Sequence, residues 1–175
     1  MSEAEIEGAY VIAVIDSVAE VSPVFESRAR EILADKGIES PDAESTYDAD
    51  AFAAAVDAMV ESAGETTVAR AGEKMIAQNE QVTAATDFES GFETMREQQR
   101  AVHRNFDVDR VGQYRAERLD DREYRVAAYG SRNYPEALIR GVTEGIVEQT
   151  ESPAMVSFDD AELAADETHA FVVSW

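Results

Sequence analysis

The chain has no cysteine, two histidines (His103 and His169) and only two lysines, Lys36 and Lys74. Without cysteine there is no disulfide, no thiolate zinc site and no cysteine nucleophile. Two histidines are too few for a multi-histidine metal centre, and no other metal site is expected. No apolar run approaches the ~20 residues of a membrane span. The segment 9–15 is too short, and it lacks the basic flank and small-residue cleavage site of a signal peptide. No glycine-rich loop precedes a lysine, and there is no dinucleotide fingerprint and no His-Glu-x-x-His. Ser131 lacks the surroundings of a nucleophile elbow. A conventional hydrolase or transferase is therefore not visible. Nor is a nucleic-acid partner expected, since no basic stripe offsets the negative field of the chain.

What the chain has in excess is acid. Thirty-seven Asp and Glu face fifteen Lys and Arg, for a formal net charge of -22 over 175 residues. Self-repulsion of that size strains a compact fold in dilute buffer. At molar salt the Debye length falls to about 3 Å and the repulsion is screened. Many acids, few lysines and many alanines match proteins of extreme halophiles of the haloarchaeal type, soluble and cytoplasmic. Carboxylate pairs such as Asp107 and Asp109 are then solvation rather than catalysis. The hydrophobic fraction of 45% still supplies a core. The length suits one domain over 1–175, with a helical lobe over about 8–106 and a sheet-containing lobe over about 107–175.

Residues 1–7 read as an acidic, frayed start. In the apolar segment that follows, Tyr10, Val11, Val14, Ile15 and Val18 fit a helical stripe, whereas the β-branched content fits a strand, and both readings stay open. Ser22 as cap, Pro23 in the first turn and Gly37 at the end frame a helix with Phe25, Ala29, Ile32 and Leu33 on one face. A second helix runs from about Asp50 to Ala63 on Phe52, Val56, Met59 and Val60. A third starts near Glu65 with Val68, Gly72, Met75 and Ile76. A fourth opens on a capping box, Thr86 to Glu89, and carries Phe88, Phe92, Met95 and Val102 as far as His103. Then 111–119 and 122–129 alternate as a hairpin joined at Asp120-Asp121. Asn133-Tyr134-Pro135 starts a helix buried through Leu138, Ile139, Val142 and Ile146. Its Gly141-x-x-x-Gly145 face is read as tight packing of helix on sheet. Strands over 153–158 and 168–175 close the chain, and 38–48 and 159–167 read as soft connections. The fold class is α+β, a helical N-terminal half followed by a β-β-α-β-β antiparallel sheet half.

One cluster gathers aromatic, hydroxyl and guanidinium groups at a helix N-terminus: Tyr129, Ser131, Arg132 and Tyr134. It could hold a carboxylate- or phosphate-bearing ligand. The plainer reading pairs Arg132 with an acid, packs Tyr129 in the core and makes Asn133 a cap. His103 is a candidate axial heme ligand. It reads more simply as a helix C-terminal His facing the dipole. A pocket between the helical lobe and the sheet would be lined by Phe88, Phe92, Met95, Tyr114, Tyr129 and Tyr134, each also explicable as ordinary core.

The order of these features resembles the superfamily that includes the heme nitric oxide/oxygen binding (H-NOX) domains and the vinyl-reductase-type small-molecule-binding domains. The resemblance rests on Gly8, Leu33–Gly37, His103-Arg104-Asn105, the hairpin, Tyr134-Pro135, Gly141-x-x-x-Gly145 and the closing Phe171–Trp175. It implies a non-enzymatic small-molecule-binding or sensor domain. The ligand would be a small hydrophobic or amphipathic molecule, contacted by Tyr129, Ser131, Arg132, Tyr134, Tyr114 and Phe92. It also implies a signalling partner or a homodimer. No cofactor is assigned outright. The alternative implied by the same resemblance is a heme-based gas sensor with His103 as axial ligand and Tyr129 and Ser131 toward the propionates. There Arg132 falls one position early and Asn133 takes its place. A further alternative is a structural or protein-interaction module that has lost its ligand.

Overall fold

The computed structural model of the protein describes residues 4–107, 112–130, 134–151, 155–158 and 162–175. A strand precedes the first helix: in β1 (Glu5–Glu7) Ile6 is fully buried between two half-buried glutamates. The expectation of a frayed start is thus corrected at residues 4–7. β1 is paired on both sides, by β2 (Thr46–Asp48) and by β3 (His103–Arg104), in an antiparallel sheet ordered β2-β1-β3. Its strands of two and three residues are too short to leave a period-two signature.

The apolar segment left open above is helix α1 (Gly8–Val21). Val11, Val14, Ile15 and Val18 are all buried along one stripe, which only a 3.6-residue period brings together. α2 (Pro23–Asp35) is framed as the sequence predicts. The Ser22 hydroxyl accepts from the Phe25 N–H, and Gly37 turns the chain at φ +85°, so that the Ile38 N–H bonds back to Leu33 at 2.9 Å. The connection to β2 is less soft than expected. Ile38 is buried, and the Asp42 N–H donates to the Tyr47 hydroxyl at 2.8 Å.

α3 (Ala49–Ala63) is capped by Asp48, α4 (Glu65–Ala77) follows Gly64, and a single turn, α5 (Glu80–Thr83), is capped by Asn79. α6 (Phe88–Val102) has its capping box one residue later than Thr86. The Asp87 carboxylate accepts from the Ser90 N–H at 2.8 Å, and the Ser90 hydroxyl faces the Asp87 N–H at 3.4 Å.

The second sheet is antiparallel, ordered β4-β5-β7-β6, from β4 (Gln113–Asp120), β5 (Glu123–Tyr129), β6 (Met155–Phe158) and β7 (Glu167–Ser174). Tyr124 opposes Val173 and Val126 opposes Phe171, all buried on the inner face. There Tyr124 stacks on Trp175 at 5.8 Å and Phe88 packs against both. The outer face carries Glu167, its side chain 2% exposed, gripped by the Arg125 fork at 2.8 Å and by Arg115 at 2.6 Å. Those two guanidiniums hold its carboxyl well below the usual carboxylate range.

α7 (Glu136–Thr150) joins the halves. Its Gly141-x-x-x-Gly145 face packs on helix α4, not on the sheet as expected. A Cβ on Gly141 would stand 1.8 Å from the Ala69 carbonyl oxygen, and one on Gly145 would stand 3.1 Å from Glu73 Cα. On α4, Gly72 returns the approach: a Cβ there would stand 2.7 Å from the Leu138 oxygen. The architecture is α+β, helices first and antiparallel sheet second. Among the described residues no helix is long and apolar enough to cross a membrane.

Candidate functional site

Beside the α4–α7 crossing lies a cavity of about 400 Å³. Its walls come from four helices: Tyr10 and Ala13 of α1, Met75 and Ile76 of α4, Met95 and Val102 of α6, and Leu138, Ile139 and Val142 of α7. The same periodicity that buries each helix puts these residues on the facing sides. Two methionines give the wall flexible, polarisable surface.

Polar groups collect at two places. Near solvent, Asn79 and Gln98 exchange amide hydrogen bonds at 2.6 and 3.3 Å, Gln98 donates on to Gln81, and Gln78 donates to Glu20. At the floor stand Tyr114, Tyr134 and Gln99. The Tyr134 N–H donates to the Tyr114 hydroxyl at 3.2 Å, and the Tyr114 hydroxyl bonds the Gln99 side chain. The Tyr134 hydroxyl meets His103 Nε2 at 3.1 Å, and His103 Nδ1 meets the Gln99 carbonyl at 2.6 Å. These contacts close a ring through α6, β3, β4 and the residue before the cap of α7.

Burial sets the charge of this floor. Desolvation pushes the Tyr10 phenol up to about 12 and raises Tyr114 and Tyr134 as well, so all three stay neutral. Desolvation also lowers the His103 imidazole, only partly opposed by its bond to Gln99. No Lys or Arg lines the cavity among the described residues. Such a site suits an uncharged, largely apolar molecule with a hydrogen-bonding group. Among the described residues there is no cluster of three or more metal-ligating side chains.

Of the residues singled out from sequence, Tyr114, Tyr134 and Met95 stand in the wall. His103 lies behind Tyr134. Phe92 is buried against Phe88, ring centroids 5.6 Å apart, in the cluster beneath the sheet. Tyr129 is on the outer face, its hydroxyl donating to Gln113 at 2.8 Å with Arg115 over its ring at 5.3 Å. Ser131 and Arg132, with the expected cap Asn133, lie outside the described residues. The corner at the head of α7 is therefore split, with Tyr134 turned inward and Tyr129 outward. α7 itself begins at Glu136, with Pro135 in the cap position and no side-chain cap. Sequence reasoning missed the amides Gln78, Asn79, Gln98 and Gln99, whose only signal is their clustering around two helix ends.

The residues present do not fit heme as arranged. His103 is 5% exposed with both ring nitrogens engaged, and Phe106 and Tyr134 stand against its ring at 5.7 and 6.2 Å.

No protein-family model and no curated protein matches the sequence. Solved structures do match in shape. One was solved to follow heme redox potential modulated through porphyrin distortion (12% identity, 97% of this chain and 100% of that one, TM-score 0.67). Another is an oxygen-binding H-NOX domain related to soluble guanylate cyclases (12% identity, 97% and 94% covered, TM-score 0.64). A third is a mutant H-NOX from T. tengcongensis (12% identity, 97% and 97% covered, TM-score 0.67). At that identity the likeness is one of fold, and the fold of this chain is H-NOX-like.

Proposed function

We propose that the chain is a non-enzymatic small-molecule-binding domain of sensor type, and that its ligand is a small, uncharged hydrophobic or amphipathic molecule. The observation that carries this reading is the cavity. Its volume falls in the ~300–1,000 Å³ of small-molecule sites, with apolar walls and a few convergent polar groups. A floor of neutral phenols and an amide rim offer hydrogen bonds and no counter-charge, which disfavours carboxylates and ammonium ions alike. The H-NOX-like fold supports a sensor role. Occupancy would be passed to a signalling partner or a second copy through elements tied to the floor. His103 links the floor to β1 by pairing with Ile6. The acid excess suits a cytoplasm of molar salt, where melting temperature should rise with KCl.

The test is uptake of the neutral apolar fluorophore N-phenylnaphthylamine in molar KCl by the wild type and by Ala13→Phe, which fills the cavity from α1. Saturable one-to-one uptake that is lost in Ala13→Phe supports the reading. No uptake by the folded wild type, or equal uptake by the variant, overturns it and leaves a structural or protein-interaction module.

A further inference from the structure

His103 is prepared for a bond it does not make. The Gln99 carbonyl can only accept, so the proton of the neutral ring sits on Nδ1 and the lone pair on Nε2. The Tyr134 hydroxyl is then the donor across the 3.1 Å to Nε2. An Nδ1–H held by a backbone carbonyl, with Nε2 facing outward, is the arrangement of a metal-ligating histidine. The place in front of Nε2 is nevertheless taken.

Tyr134 is held there from several sides. Its ring lies between Phe52, edge-on at 5.8 Å, and Tyr10 at 6.5 Å. Its N–H is tied to Tyr114. Pro135 follows it, which restricts its backbone to extended conformations. Swinging the phenol away would break its hydrogen bond to His103 and leave buried polar groups without partners.

We infer that Tyr134 is a specificity-determining residue: its hydroxyl stands in the coordination position of His103 and keeps an otherwise ligation-ready imidazole from metal, heme iron included. The inference stands apart from what occupies the neighbouring cavity. It is carried by the two hydrogen bonds of His103 and the packing of Tyr134.

Hemin titration in molar KCl, followed by the Soret band, tests it on the wild type, His103→Ala, Tyr134→Gly and Tyr134→Gly/His103→Ala. The wild type should show no saturable band that depends on His103. Tyr134→Gly should bind hemin at least tenfold more tightly than the wild type, and the double variant should lose that gain. A wild-type Soret band abolished by His103→Ala overturns the inference, as does a folded Tyr134→Gly that behaves like the wild type. If Tyr134→Gly does not fold, Tyr134→Phe keeps the ring and removes only the hydroxyl. Nitrogen NMR of the His103 ring should then show Nδ1 still protonated and the Nε2 resonance moved by loss of its donor. An unmoved Nε2 resonance overturns the inference equally.

Discussion

On one side of their crossing, α4 and α7 come so close that a methyl group has no room; beside it, the same two helices help enclose about 400 Å³ of space. The difference lies in side-chain size at successive turns. Ala69, Gly72, Gly141 and Gly145 let backbone meet backbone, while Met75, Leu138, Ile139 and Val142 project into the neighbouring gap. The tight contact teaches how the open one persists. Protein interiors normally close over voids, yet two helices already in backbone contact have no further approach to make. Polar groups follow the same division, with the mutually repelling carboxylates of Glu73 and Glu144 near the crossing and amides and phenols at the cavity.

The largest way to break the comparison is to force the crossing apart. Gly141→Val places carbon against the Ala69 carbonyl, where no rotamer relieves it. The expected loss is about 3 kcal/mol, the upper end for overpacking, read by guanidinium denaturation in fixed salt. Neutral-fluorophore uptake should fall with it, since the helices that wall the cavity move. Ala13→Phe attacks the open side instead. It adds bulk where there is space, so its stability should stay within about 1 kcal/mol of the wild type in the same denaturation. A loss as large as that of Gly141→Val would show that the cavity is not available volume.

The smallest effect separates the two sides by pH. Burial, with repulsion from Glu148, raises Glu73; burial, with repulsion from Glu73, raises Glu144. A carboxyl raised on folding costs stability at neutral pH and returns it as pH falls through the raised value toward about 4.3. His103 is lowered on folding, so its contribution is intact above about 6.5 and declines as pH falls below that. Glu144→Gln should therefore stabilise by about 0.3 kcal/mol at pH 7, the size of the like-charge pair it also makes with Glu148 one turn along α7, and by nothing near pH 4. His103→Asn should flatten the decline below pH 6.5. Melting curves across pH in molar KCl decide both.

Much of this was legible in the sequence because the local signals were unopposed. Ser22, Pro23 and Gly37 framed α2, and the buried set Phe25, Ala29, Ile32 and Leu33 follows directly from its period. The hairpin and the closing strand alternate as their pairing requires. α1 could not be assigned locally, because β-branched residues and a helical stripe argued against each other until α2 and α4 covered that stripe. The strands β1, β2 and β3 were invisible because no repeat fits in two or three residues. For the site, Tyr114, Tyr134 and His103 drew attention by type. Phe92 looked equivalent to Met95, one turn further on, yet faces the cluster of Phe88, Tyr124 and Trp175.

By itself the sequence determined the α+β order, the acid-rich surface, the absence of thiol chemistry and most helix limits, since these depend on composition, caps and periods within one segment. Only the tertiary structure decided that the glycines of α7 meet a helix and not a sheet. It also decided that Tyr129 and Tyr134, five residues apart, end on opposite faces, and that a phenol sits on the lone pair of His103. Those outcomes depend on which segments, distant in sequence, are brought to the same place, and no local pattern encodes that.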